Sequence, residues 1–267
     1  MKTPLLLIGV LLVALSNIRA LDTNAANAIF QQGRFDQNLG AQVPLDAVFR
    51  DEAGDPTTLR SVLGQRPAIL VLGYHECPML CSVVLGGLVE SMNDLRITSG
   101  AGFDLIDVSI SPTDTPAQAA QQKRVYFKRY ARHGADAGWH FLTSPDPGTI
   151  YRLADTVGFR YGYDPTNKQY AHPSGIMVLT PDGKVARYFF GVNFDPGDLQ
   201  TALAAAGQRK LGSRIQELLL TCFHYNPING KYGALVVNTV RVGGVLTLLA
   251  MGAGFYYLIR RNPGARA

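Results

Sequence analysis

The chain has 267 residues, 47% of them hydrophobic, which is enough for one substantial core but short for two full domains once its apolar ends are set aside. Its formal charge of +5 comes from scattered basic residues, several of them clustered only at the C-terminus, with no basic stripe interleaved with aromatics. That pattern excludes nucleic-acid binding as the reading of the charge.

The N-terminus opens with Met1, Lys2, Thr3 and Pro4 and runs apolar from Leu5 to Leu15, a positive start before a stretch too short to cross a bilayer comfortably. Residues 1–20 are read as a signal peptide. Cleavage fits the small residues Ala14 and Ser16 better than Ile18 and Ala20, and an uncleaved anchor is the alternative. Residues 21–42 form a lead-in, and the whole stretch 21–60 reads as loosely structured, with one turn over Asp51, Glu52, Ala53, Gly54 and Asp55.

Ala68 to Tyr74 is a short apolar run with the length of a buried strand. A helix follows, with Cys77 at the N-cap, Pro78 at N1, and Cys81, Leu85, Leu88, Met92 and Leu95 at helical spacing. Phe103 to Ile110 predicts a second strand. Thr115, Pro116 and Gln118 then form a capping box with proline at N1, opening a helix that reaches about His133 with Gly134 as its stop. Trp139–Thr143 predicts a third strand and Pro147–Val157 a third helix. A hairpin is expected with arms Ile176–Thr180 and Val185–Val192 around Pro181, Asp182, Gly183 and Lys184, and a last helix over Asp198–Ala206.

This order predicts an α/β domain over 43–206, a central mixed sheet flanked by helices in the thioredoxin-like arrangement. Residues 207–233 read as a juxtamembrane connector. The segment 234–260 contains eighteen uncharged residues from Val242 to Ile259, with Arg241 before them and Arg260, Arg261 and Arg266 after, and is expected to be a transmembrane helix. The tail 261–267 then lies in the cytoplasm and the domain outside it: a single-pass protein of the cytoplasmic (inner) membrane, its domain facing the periplasm or cell exterior.

Chemistry concentrates in Gly73-Tyr74-His75-Glu76-Cys77-Pro78-Met79-Leu80-Cys81. Two cysteines four apart on a helix share a face, and the first sits where free N–H groups and the dipole lower a thiol pKa. Both sulfurs can meet one metal ion or each other. A structural disulfide is the plain alternative in an exported protein, but so short a loop gains little chain entropy. Two thiolates suit soft Cu(I), whereas structural zinc normally takes four ligands and no second cysteine pair exists. His75 is a further ligand or base unless it is simply an exposed strand-end residue. Met79 offers a soft sulfur unless it is packing. The third cysteine, Cys222, stands two residues before His224, as a transient metal pair, a packing motif or an intermolecular disulfide.

A C-P-x-x-C motif after a buried strand, followed by Asp107-Val108-Ser109-Ile110-Ser111-Pro112 and Asp114-Thr115-Pro116, resembles the Sco/SenC family over about residues 43–206. The resemblance implies a third ligand at His172, in Ala171-His172-Pro173-Ser174-Gly175. It also implies copper, as Cu(I) or Cu(II), held by Cys77, Cys81 and His172, and a metallochaperone that helps assemble the dinuclear copper centre of cytochrome c oxidase subunit II. His75, Ser82 and Ala171 stand where family members often carry Thr, Pro and an acidic residue. Pro173 also occupies a place comparable to the cis-proline of thioredoxins. The competing function is a thiol–disulfide oxidoreductase, with Cys77 attacking, Cys81 resolving and a periplasmic thiol reductant as partner, keeping copper-site cysteines reduced. A peroxiredoxin-like peroxidase fits less well, because Tyr74 occupies the position of its usual threonine.

Overall fold

The computed structural model describes residues 33–75, 80–132 and 135–212, together with 243–244, 247 and 251–253; of residues 80 and 81 only the backbone is described. The chain divides into two units, Met1–Ser213 and Arg214–Ala267. In the second, the described residues are helical, and Thr247 Oγ1 donates to the Gly243 carbonyl at 2.8 Å. Among the described residues no helix is long and apolar enough to cross a membrane. The expected signal peptide, the connector beyond residue 212, the cytoplasmic tail and nearly all of the expected span lie outside the described residues.

The first unit is organised on five strands: β4 (Ala68–Gly73), β5 (Asp104–Ser109), β6 (Trp139–Leu142), β10 (Gly175–Leu179) and β11 (Val185–Phe190), in the order β11-β10-β4-β5-β6. β4, β5 and β6 run parallel, while β10 is antiparallel to both β4 and β11. Every residue of β4 is buried, as an apolar run covered on both faces requires. Its alternation divides the core. Ile69 and Val71 pack with α2 (Leu80–Asn93), α3 (Pro116–Arg129) and α5 (Pro196–Gly207) through Leu88, Ala119 and Leu203. Leu70 and Leu72 face the other layer, with α1 (Leu59–Val62) and α4 (Pro147–Thr156) supplying Leu59, Ile150 and Leu153. The expected α/β mixed sheet between helical layers is thus found.

Helix starts follow their caps. Thr115 Oγ1 accepts from the Gln118 N–H while the Gln118 side chain returns to the Thr115 N–H, closing the expected capping box. α3 stops at Arg129, short of the expected His133, because Tyr130 turns to extended backbone and buries its ring against Phe127 and Trp139. α5 starts two residues earlier than expected, since the Asp195 carboxylate accepts from the Asp198 N–H and Pro196 fills N1.

The described part of the lead-in is not loose. β1 (Arg34–Phe35) pairs with β7 (Phe159–Arg160), and β2 (Val48–Arg50) pairs with β3 (Pro56–Thr58) around the predicted turn, where Asp51 Oδ1 accepts from the N–H groups of Ala53 and Asp55. Val43, Ala47 and Phe49 enter the core beside α1 and α4. A further small hairpin, β8 (Gly162–Asp164) with β9 (Gln169–Ala171), leads directly to His172.

Candidate metal centre

The parallel register of β4 and β5 sets Gly73 beside Ser109, so the segments leaving both strands emerge together. From β5 the chain turns through Ser111 to Asp114; from β4 it continues through Tyr74 and His75 toward the cysteines. Asp114 Oδ2 accepts the His75 N–H and the Ser109 hydroxyl, each at 2.6 Å. Gln122 of α3 donates to the His75 carbonyl at 2.8 Å, and the Tyr126 hydroxyl donates to the Ser82 carbonyl at 3.3 Å. The entry to the C-P-x-x-C motif and the first turn of α2 are both anchored to α3.

Cys77 and Met79 lie outside the described residues, as do the Cys81 side chain, Cys222 and His224. The backbone of Cys81 belongs to the first turn of α2, as expected from the spacing. His172 is described in full. Its imidazole lies between Tyr74, edge-on at 6.0 Å, and Phe159, stacked at 5.8 Å. His172 Nδ1 is 3.0 Å from the Pro173 carbonyl, an acceptor only, so Nδ1 is the donor of this hydrogen bond. Among the described residues no peptide bond is cis, so Pro173 is trans and does not reproduce the thioredoxin proline.

A narrow cleft joins these parts: His172, Pro173, Tyr74, His75, Asp107 and Ser82, the residue after Cys81, all line it. Among the described residues no group of three His, Cys, Asp or Glu side chains is arranged to hold a metal ion. Of the expected trio, His172 alone has a described side chain.

His75 is not the exposed strand-end residue expected: it is 8% exposed and stacks on Phe141 at 6.2 Å. Its Nδ1 is 3.8 Å from Asp107 Oδ1, and among the described residues its Nε2 has no hydrogen-bond partner. Burial pushes its pKa down, opposed by the charge of Asp114. Asp107 is pushed up to about 8, first by burial and then by Asp114, so its carboxyl is mostly protonated at neutral pH. Sequence reasoning placed Asp107 and Asp114 in a motif without assigning either a task. The available signal was an acid inside the otherwise apolar run Leu105-Ile106-Asp107-Val108.

A mixed sheet between helical layers, with a cleft where the parallel strands end and a cysteine-bearing helix begins, defines a thioredoxin-like protein. The sequence profile of the SCO1/SenC family matches residues 40–206, and the chain belongs to that family. No curated protein matches it. A candidate electron transfer protein from Aquifex aeolicus VF5 is similar at 24% identity and a TM-score of 0.57, over 71% of this chain and 100% of that one. Arabidopsis thaliana ScoI, solved with copper bound, is similar at 18% identity and a TM-score of 0.50, over 64% of this chain and 99% of its own. BsSco, a member of the Sco family of cytochrome c oxidase assembly proteins in which a disulfide switch is identified, is similar at 20% identity and a TM-score of 0.51, over 65% and 98%. These likenesses show a shared fold.

Proposed function

We propose that this chain is a membrane-anchored metallochaperone that carries copper on Cys77, Cys81 and His172 and delivers it during assembly of the copper centre of cytochrome c oxidase. Copper is cargo here, and nothing is turned over. The observation that carries the reading is that His172 and Ser82, adjacent to Cys81, line one cleft although 90 residues separate them in sequence. Two thiolates and one imidazole form a soft donor set suited to Cu(I). Copper in Arabidopsis ScoI and the assembly role of the family of BsSco point the same way. In this reading the leader directs export and the 234–260 segment holds the domain on the outer, periplasmic side of the cytoplasmic membrane, facing subunit II or a similar acceptor.

A second activity, thiol–disulfide exchange with a periplasmic thiol reductant, is favoured by Asp107, a buried and mostly protonated carboxyl lining the same cleft. The two activities are compatible, because an acceptor built of cysteines must be reduced before it takes the metal.

The test is an anaerobic Cu(I) titration of the reduced, detergent-solubilised full chain in a Cys222→Ser background, compared with added Cys77→Ser, Cys81→Ser or His172→Ala. One tight equivalent, lost in each variant, is the expected result. If the chain with both cysteines intact binds copper no more tightly than the double Cys77→Ser/Cys81→Ser variant, the chaperone reading fails and dithiol exchange replaces it.

A further inference from the structure

Residues 33–36 precede the region matched by the family, 40–206, yet they are built against the histidine of the site. Gly33 lies so close to His172 that a Cβ there would stand 3.2–3.3 Å from the N, Cα and C atoms of His172. The next two residues form β1, with Arg34 opposite Arg160 and Phe35 opposite Phe159. The Phe35 ring meets Phe159 edge-on at 5.4 Å, and Phe159 in turn stacks on the His172 imidazole. Phe35 also reaches the far side of the histidine loop, where a Cβ on Gly175 would be 3.1 Å from Phe35 Cε2. Asp36 closes the segment. Its N–H donates to the Gly158 carbonyl at 2.7 Å, and its carboxylate takes Arg160 at 2.7 Å and Arg34 at 3.0 Å. Gly158 has φ +66° and no space for a Cβ, which would fall 1.7 Å from the Asp36 carbonyl oxygen.

We infer that residues 33–36 are a positioning strap for His172: Gly33 seats its backbone, and Phe35 holds its imidazole through Phe159. The inference rests on the proposed role of His172 as a copper ligand. Two contacts from one short segment, on the backbone and on the ring stack, fix both the origin and the orientation of the ligand. Neither Gly33 nor Phe35 touches the metal. Groups that orient a ligating histidine typically change metal affinity by about 10–100-fold when altered, and that is the loss expected here.

The experiment uses the detergent-solubilised full chain in the Cys222→Ser background, with Gly33→Val, Phe35→Ala and the milder Phe35→Leu in case the first two fold poorly. Cu(I) affinity is read by competition with a chromophoric chelator, and the imidazole nitrogen hyperfine coupling is read by pulsed electron resonance on the Cu(II) form. Leu203→Ala, in the opposite core layer, serves as a destabilised control. The strap variants should lose about 10–100-fold in affinity and shift the nitrogen coupling, while Leu203→Ala shifts neither. Unchanged affinity and coupling in the strap variants, or equal losses in Leu203→Ala, overturns the strap. If His172→Ala itself keeps wild-type affinity, the failure belongs to the ligand assignment instead.

Discussion

The backbone N–H of His75 and the Asp114 carboxylate meet at 2.6 Å, joining the strand that leads into C-P-x-x-C to the D-T-P turn that caps α3. The same oxygen accepts the Ser109 hydroxyl, so one buried carboxylate satisfies a donor at the end of β5 and one in the segment that follows β4. Asp114→Ala strands both donors and should cost about 2–3 kcal/mol. Asp114→Asn keeps one acceptor oxygen and should cost less. Urea midpoints of the three proteins check the order.

Asp107 predicts a pH dependence of stability. Its native pKa of about 8 lies above the 3.8 of an unperturbed Asp, so between these values the folded state holds more protons than the unfolded one. Stability is therefore fully present below about pH 4 and is lost as pH rises through 8. Buried His75 and half-buried His140, whose pKa values are pushed down from 6.5 by burial, act in the opposite direction and only below that pH. From pH 6.5 to 8 the Asp107 slope should dominate, and Asp107→Asn should flatten it. Unfolding free energies of both proteins across this window provide the measurement.

Gly87 of α2 faces the Val192 carbonyl, and a Cβ on it would come within 1.9 Å of that oxygen. Gly87→Ala would gain about 1 kcal/mol in an isolated helix. In this protein α2 must instead move off the loop after β11, and a net loss of about 1–3 kcal/mol is expected. A thermal midpoint above wild type would show that the loop yields freely.

The legible parts of the fold were those encoded locally. Ala68–Gly73 announces itself as a continuous apolar run, and Thr115 to Gln118 as a helix start, because in each the physics lies within a few residues. β1, β7, β8 and β9 have two or three residues each, too few for any periodicity, and exist because distant rings such as Phe35 and Phe159 meet. At the site, the four-residue spacing singles out the cysteines as candidates and the resemblance points to His172, whose side chain is the described one of the three. The burial of His75 was out of reach, since it depends on Phe141 from β6 and Gln122 from α3. Asp107 stood in plain view as an acid in an apolar strand, but its effect needed the knowledge of how completely the strand is covered and, second, that Asp114 folds back toward it.

His75 gives the last test, because it separates two histidines that sequence alone leaves in competition. Its imidazole is stacked on Phe141, and burial resists its protonation, so the unfolded chain takes up a proton below pH 6.5 that the folded chain refuses. Stability is lost as pH falls through that range. His75→Phe preserves a ring against Phe141 and removes the titrating group, so it should be more stable than wild type at pH 5.5, with His140 leaving a residual slope. Under the proposed ligand set the same variant still binds one Cu(I), because His172 supplies the imidazole. Calorimetric unfolding at pH 5.5 and 7.5, run beside the copper titration, reads both effects in one sample. Loss of the copper equivalent in His75→Phe together with its retention in His172→Ala would transfer the imidazole to the end of β4.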